Sequence, residues 1–335
     1  MAPFTVTTFL REQWTKLPLA TADLSNKTVI LTGSNVGLGF EAAVHLANMK
    51  PGRFIITARD QAKCDKAKKE IEARAQEGIG AIVASPLELT SFESVRAFVD
   101  EFAAGSSKLD VLIANAAVSL QEYTQTGNGW ETTVQVNHLS AALLSISMLP
   151  HLAKAGTEEN PARLVIVSSE AHYMESLKGA SKWPNILERL SDKSYCTPAV
   201  MRARYPISKL LEVEFAARLS KSTPVVIDAV NPGFCKSQLT RNVAFYLQVV
   251  AKVGKALLAR STEMGSRTLV HAAVAPGEKE RHGHYVSACN VAEESDFVLS
   301  EEGQEVQRRL WDETIEVLSK VDPRVNGIVT EYLST

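Results

Sequence analysis

Thr28-Val29-Ile30-Leu31-Thr32-Gly33-Ser34-Asn35-Val36-Gly37-Leu38-Gly39 is the stretch on which the architecture turns. Its first four residues are a β-branched, apolar run suited to a buried strand, and three glycines follow closely. Beyond them Phe40, Ala43, Val44, Leu46 and Ala47 recur at helical spacing. Strand, glycine-rich turn and helix in that order is the context in which a turn can hold a dinucleotide. Gly33 permits a tight turn, Gly37 lets the backbone approach a pyrophosphate, and Gly39 lets the helix pack close to the strand. The N-terminus of that helix offers unpaired N–H groups to phosphates. Glycines also serve ordinary turns, so the motif needs support from the rest of the chain.

Working outward, strand-like runs alternate with helical patterns along most of the sequence, including Phe54-Ile55-Ile56-Thr57, Ala81-Ile82-Val83-Ala84 and Val225-Val226-Ile227-Asp228-Ala229. Such alternation predicts an α/β fold with a parallel sheet. Far downstream, Tyr205 and Lys209 stand four apart in Tyr-Pro-Ile-Ser-Lys, on what reads as the first turn of a helix. Residues at i and i+4 share a helix face, so an ammonium lies near a phenol. A free tyrosine has a pKa of about 10, and a nearby cation favours its ionised form. A phenol tuned downward can exchange a proton with a carbonyl or alcohol oxygen. The same spacing occurs on ordinary surface helices, and it gains weight only from the glycine turn.

Six motifs in order carry a family resemblance over most of the chain. They are Thr32 to Gly39, Leu109-Asp110-Val111-Leu112-Ile113-Ala114-Asn115-Ala116-Ala117, Val134-Gln135-Val136-Asn137-His138, Arg163-Leu164-Val165-Ile166-Val167-Ser168-Ser169, Tyr205-x-x-x-Lys209 and Asn231-Pro232-Gly233. Together they resemble the short-chain dehydrogenase/reductase family. The stretch from Glu263-Met264-Gly265 through Gly283-His284-Tyr285 to Leu310-Trp311 is similar to the retinol-dehydrogenase and WW-domain-oxidoreductase branch, and the N-terminal region looks most like fungal members. Two positions depart from the pattern: Ala117 stands where glycine is usual, and Glu88 where an aspartate commonly meets the adenine.

The resemblance implies a single Rossmann-type, doubly wound catalytic domain over 28–298. An N-terminal extension (1–27), an insertion (170–204) before Tyr205 and a C-terminal helical extension (299–335) complete the chain. It also implies roles. Tyr205 exchanges the proton, Lys209 lowers its pKa and binds the nicotinamide ribose, Ser169 orients the substrate oxygen, and Asn137 holds a relay water. Gly33, Ser34, Asn35, Gly37, Leu38 and Gly39 form the pyrophosphate turn. Glu88, Leu89, Asn115 and Ala116 flank the adenosine, and Pro232, Gly233 and Ser237 line the nicotinamide. Ser169 is preferred to Ser168 because it is the second of the pair, and strand alternation puts the two side chains on opposite faces.

Cofactor choice turns on the end of the second strand. An acidic residue roughly twenty positions past the glycine turn would bind the ribose 2′-hydroxyl of NAD. This chain has Thr57-Ala58-Arg59 there: no carboxylate, and a guanidinium suited to a 2′-phosphate. NADP(H) is therefore expected. The competing reading has Arg59 pairing with Asp60 on the surface.

Composition bounds the rest. A net charge of −2 without a basic stripe argues against nucleic acid, and Lys63 to Lys69 interleaves with acids as a solvated helix face would. Cys64, Cys196, Cys235 and Cys289 lack metal-ligand spacing and read as reduced thiols of a cytoplasmic protein with no metal. No apolar run reaches the length of a spanning helix, and Phe4 to Leu10 is too short for a signal segment. Residues 243–258 read as an amphipathic, weakly basic helix that could touch a membrane surface, but a flap over substrate is the preferred reading.

Ser169 and Tyr205 are thirty-six positions apart, longer than the family's usual spacing. The aromatic, Met and Leu residues between them, with the stretch Phe234 to Leu258, suggest a pocket for a fairly large apolar alcohol or ketone. Retinoid-, steroid-, terpenoid- or polyketide-like compounds fit, and a fungal source would suit specialised-metabolite biosynthesis. His138, His172, Trp130 and Trp183 read as structural. The resemblance leaves the oligomeric state open: a homodimer through the helices after strands four and five is one outcome, and a C-terminal extension that covers that surface instead is the other. The rival reading is a catalytically weak, NADP(H)-binding regulatory or scaffold protein, against which stands the presence of Asn137, Ser169, Tyr205 and Lys209 together.

Overall fold

In a computed structural model, which describes residues 5–220, 225–236 and 258–333, the apolar runs form one eight-stranded sheet. Its strands are β1 (Thr28–Leu31), β2 (Arg53–Ala58), β3 (Ile82–Pro86), β4 (Val111–Ala114), β5 (Arg163–Val167), β6 (Val226–Asn231), β7 (Tyr285–Ser287) and β8 (Asn290–Ala292). Their order is β3-β2-β1-β4-β5-β6-β7-β8. All neighbours run parallel except β7 and β8, which pair as an antiparallel hairpin at one edge. The chain order reverses between β1 and β4. In such sheets a ligand binds beyond the carboxyl ends of the strands at this switch point, where both Gly33 and Asn115 lie.

Thirteen helices in the described residues surround the sheet. They are α1 (Val6–Trp14), α2 (Gly37–Ala47), α3 (Gln61–Arg74), α4 (Phe92–Gly105), α5 (Thr132–Val134), α6 (Ala141–Ala155), α7 (Ile186–Ser191), α8 (Pro198–Leu219), α9 (Thr262–Val274), α10 (Glu278–Arg281), α11 (Asp296–Leu299), α12 (Glu301–Val321) and α13 (Arg324–Leu333). One apolar cluster, including Val29, Leu31, Phe54, Ile56, Ile113 and Val165, packs against α2, α3 and α9. The other, including Ile30, Leu112, Leu164 and Ile227, packs against α4, α6 and α8. Alternate residues of each buried strand thus serve opposite layers, as a period of two requires.

Two details differ from the sequence expectation. Helix α8 begins at Pro198, capped by Thr197, so Tyr205 sits two turns inside it and not at its start. The reason is local: a capping threonine and a proline at the first position are strong start signals, placed well upstream of the Tyr-Lys pair. The second half of the insertion is also not a pocket wall. Ile186, Leu187 and Leu190 of α7 are fully buried, and Glu313 of α12 accepts the N–H groups of Ile186 and Leu187 at 2.7 and 3.0 Å.

Arg204, next to the Tyr205 position, anchors this insertion. It and Glu131 are both fully buried, with Nε 3.4 Å from the carboxylate, and it also donates to Leu190 O at 2.7 Å. Glu131 in turn accepts the Thr133 and Val134 N–H groups that open α5. Removing one partner strands the other charge in the core. Arg204→Met is therefore expected to lower stability by about 3–5 kcal/mol, read as a lower urea midpoint with unchanged slope.

Candidate active site

The glycine turn is built from the strand outward. Gly33 and Gly37 take φ of +69° and +63°, which side chains resist. A Cβ on Gly39 would lie 2.3 Å from Gly33 O, whereas one on Gly37 would meet nothing within 4 Å. Gly39 is thus required by the fold, and Gly37 leaves open space above the turn. Val36 caps α2 without a side-chain hydrogen bond, so the first N–H groups of this helix remain available to an anion. These features fit a dinucleotide pyrophosphate.

The residues behind the turn act as braces. Asn115 donates from Nδ2 to Thr32 O at 2.8 Å, and the Asn115 and Ala116 N–H groups bond Thr32 Oγ1 at 2.9 and 3.0 Å. Ser34 is buried with its hydroxyl donated to Leu31 O at 2.8 Å, so its side chain serves the turn. Leu89 is a core side chain, and Glu88 uses Oε1 to accept the Thr90 N–H at 2.9 Å. Arg59 is exposed at the end of β2, and among the described residues it makes no hydrogen bond or ion pair. Asp60, its expected competitor, instead caps α3 and pairs with Lys63.

The chemical groups gather at the carboxyl end of β5. Ser168 turns inward and donates to Lys209 O at 2.9 Å, which leaves Ser169 on the opposite side, where it opens a short 3-10 turn (Glu170–Tyr173) and lies close enough to the Tyr205 phenol to favour its ionised form. The Lys209 Nζ lies 5.4 Å from the centre of the Tyr205 ring and donates to Val167 O at 2.8 Å. Asn137 sits in a π-turn (Gln135–Ser140) between α5 and α6, a distortion common at functional sites. Its Oδ1 accepts the Val118 N–H at 2.8 Å, and Nδ2 donates to Val118 O and Ser208 Oγ at 2.9 Å each. Both amide hydrogens are thereby used, and the side chain ties the loop after β4 to α8.

Electrostatics at this cluster depart from the sequence reading. Burial, its largest influence, pushes the Tyr205 phenol above its ordinary value; the Lys209 charge and Ser169 act downward, and Glu212 and Glu170 upward. The lysine pulls as anticipated, but the site also contains two carboxylates that motif matching passes over. Glu170 directly follows Ser169, and burial raises its carboxyl to about 7. Glu212 contacts Lys209 at 3.0 and 2.9 Å. His172 and His138 are buried, and desolvation lowers each to about 4, so they are neutral packing groups, as expected. Trp130 and Trp183 pack against the core.

The wall beside Pro232 and Gly233 holds residues no motif could have flagged. Gly233 adopts φ of +78° and donates its N–H to Asn231 Oδ1 at 2.9 Å. Arg260 donates to Pro232 O at 3.2 Å and to the backbone of Glu12 and Gln13. Gln13, from the N-terminal helix, bonds the backbone of Phe234 in both directions and Leu258 O. Ser237 and residues 243–257 lie outside the described residues. Gln13 and Arg260 carry no sequence signal, because neither the spacing nor the residue type is distinctive.

The short chain dehydrogenase family profile matches residues 27–183. Over 330 residues the chain is 35% identical to the short chain dehydrogenase/reductase dmxR8 of Cryptosporiopsis sp., covering 95% of this chain and 99% of that one. The chain belongs to the short-chain dehydrogenase/reductase family. It is also 31% identical over 315 residues to the short-chain dehydrogenase/reductase ffsI of Aspergillus flavipes, covering 93% and 91% of the two chains. Among solved structures, an uncharacterized protein from Mycobacterium paratuberculosis matches with TM-score 0.63 at 26% identity, over 91% of this chain and 96% of that one. The RhlG/NADP complex of Pseudomonas aeruginosa shares the fold at TM-score 0.57 and 22% identity, over 82% and 97%. This chain is accordingly an oxidoreductase that works with a nicotinamide cofactor.

Two glycine substitutions separate fold from binding. Gly37→Ala creates no clash, so it should cost stability only by its positive φ, about 1 kcal/mol, yet weaken nucleotide binding by filling the open space. Gly39→Ala should lower both, because its Cβ must displace Gly33 O. Thermal unfolding and nucleotide titration of the two variants provide the check.

Proposed function

We propose that this chain interconverts a carbonyl and an alcohol on a bulky, largely apolar substrate, using NADP(H). The observation that carries the reading is the convergence of Ser169, Tyr205 and Lys209 at the end of β5, with an exposed Arg59 just past β2 that makes no hydrogen bond or ion pair among the described residues. The nicotinamide supplies or accepts the hydride, which no side chain can do. Tyr205 donates its phenolic proton to the carbonyl oxygen in reduction and takes it back in oxidation. Ser169 hydrogen-bonds that oxygen and holds it against the phenol, and Lys209 stabilises the phenolate left behind. Asn137 acts by fixing α8 against the loop after β4; a relay water would have to be held by the backbone of its π-turn. Arg59 takes the 2′-phosphate of the cofactor as a fork.

The catalytic core is taken as 28–298. Neither extension is passive: 1–27 contributes Gln13 to the nicotinamide wall, and 299–335 packs over α6, α7 and α8. A cavity of about 1030 Å³, lined by Met174, Val291, Ala292 and Phe297 together with Arg11 and Glu294, lies past the turn that follows Ser169, and none of Ser169, Tyr205 and Lys209 lines it. The fungal sources of the relatives agree with specialised-metabolite tailoring. No helix of the described residues is long and apolar enough to cross a membrane, and a cytoplasmic setting is proposed. Trp311 of α12 stacks on Phe215 of α8, with ring centres 6.0 Å apart, and His138 bonds Thr314 of α12 at 2.9 Å. The face through which family dimers form is thus already covered, so we read the chain as a monomer.

Purified protein should oxidise NADPH in preference to NADH with bulky ketones, and Tyr205→Phe should lose 10²-fold or more of kcat, on the order expected of a positioned acid. Arg59→Ala should weaken NADPH by about 10-fold or more while sparing NADH. Tight NADPH binding without turnover on any carbonyl would favour a regulatory binding protein instead. Light scattering should give one chain's mass, 36.5 kDa; twice that mass would overturn the monomer.

A further inference from the structure

Tyr205, Lys209 and Glu212 lie at i, i+4 and i+7 on α8, which places them along one helical stripe. Lys209 and Glu212 are both buried. An ammonium has three N–H donors, and here each has a partner: Val167 O at 2.8 Å, Glu212 Oε1 at 3.0 Å and Glu212 Oε2 at 2.9 Å. Nothing remains for a ribose hydroxyl unless Glu212 releases one contact. We propose, building on the acid–base role read for Tyr205, that Glu212 is a positioning residue. It holds the Lys209 ammonium in the cofactor-free chain, yields one contact when the nicotinamide ribose docks, and opposes the pull of Lys209 on the Tyr205 proton, favouring carbonyl reduction over alcohol oxidation near neutral pH.

The electrostatic sense follows from the charges. A bare ammonium beside a phenol draws it toward phenolate, and a carboxylate bonded to that ammonium cancels part of the field. The charged groups facing Tyr205 are Lys209 and Glu212 on its own helix and Glu170 from the turn after β5; Ser169 faces it as a neutral donor. Both carboxylates work against ionisation. A phenol that keeps its proton is a ready acid for reduction and a poor base for oxidation. Burial alone would drive Lys209 toward its neutral form, and Glu212, with Tyr205 acting in the same sense, offsets this, so the lysine stays charged. Glu212 therefore performs two tasks that a neutral residue could not combine: it keeps the cation in the core and restrains it.

The test needs neither substrate nor turnover. Tyrosinate absorbance of the wild type minus that of Tyr205→Phe isolates one titration among the seven tyrosines. Glu212→Gln, which keeps shape and one acceptor, should move this midpoint down by on the order of one pH unit. The same variant should bind NADPH severalfold more tightly by calorimetry. Glu212→Met is made beside it, so the measurement stands on whichever variant folds. A folded variant with an unmoved Tyr205 midpoint overturns the proposal, and so does the failure of both to fold, which would reduce Glu212 to a structural ion pair. A shifted midpoint without turnover on any carbonyl supports the role of Glu212 while sinking the reductase reading.

Discussion

A reciprocal pair of hydrogen bonds joins the end of β5 to α8. Lys209 Nζ donates to Val167 O, and Ser168 Oγ donates to Lys209 O. One bond runs from helix side chain to strand backbone and the other from strand side chain to helix backbone, so the helix can neither slide nor rotate against the strand. That registration brings the Tyr205 phenol to Ser169, which strand alternation has already turned to the other side. It also explains why a lysine can be fully buried here: its ammonium is satisfied by a carbonyl and a carboxylate, as a charge in the core must be. The site is therefore a consequence of how the second apolar layer docks on the sheet.

What could be read from the sequence was what depends on neighbours along the chain. The glycine turn follows from three positions within seven residues, each answering a backbone need, and the sheet follows from β-branched runs between helical patterns. The Tyr-Lys pair follows from helical periodicity. Glu212 obeys that same periodicity, one turn beyond Lys209, and it was missed because motif matching stops at the lysine. Glu170 was missed for the same reason on the strand side, one residue beyond Ser169. Lys209 draws the Tyr205 phenol downward as its spacing predicts, but burial outweighs it, and burial is a property of the whole fold that no local spacing reports.

The remaining gaps involve segments brought together from far apart. The insertion before Tyr205 looked like pocket material because it is rich in aromatic and aliphatic residues. Those of its second half instead feed the core, with α7 sealed by Glu313 of α12, whereas Tyr173 and Met174 near its start line a cavity. Composition alone does not distinguish an apolar segment that faces a ligand from one that faces another helix. The C-terminal helices illustrate the same ambiguity in reverse: the apolar stripe of α12 could have met a second chain, and it meets Phe215 of its own.

The N-terminal helix joins the two ends of the chain's history. Gln13 is synthesised well before its partner Phe234, which lies 221 positions later. Arg260, which grips the same helix, is a further stretch away, 247 positions from Gln13. Contacts of such sequence separation form only after the intervening chain has been ordered. The glycine turn and the first four strands can be built during synthesis, whereas the nicotinamide wall must wait until residues 232–260 have been made. Until then the nascent protein holds a nucleotide cradle without the wall that would enclose a reaction.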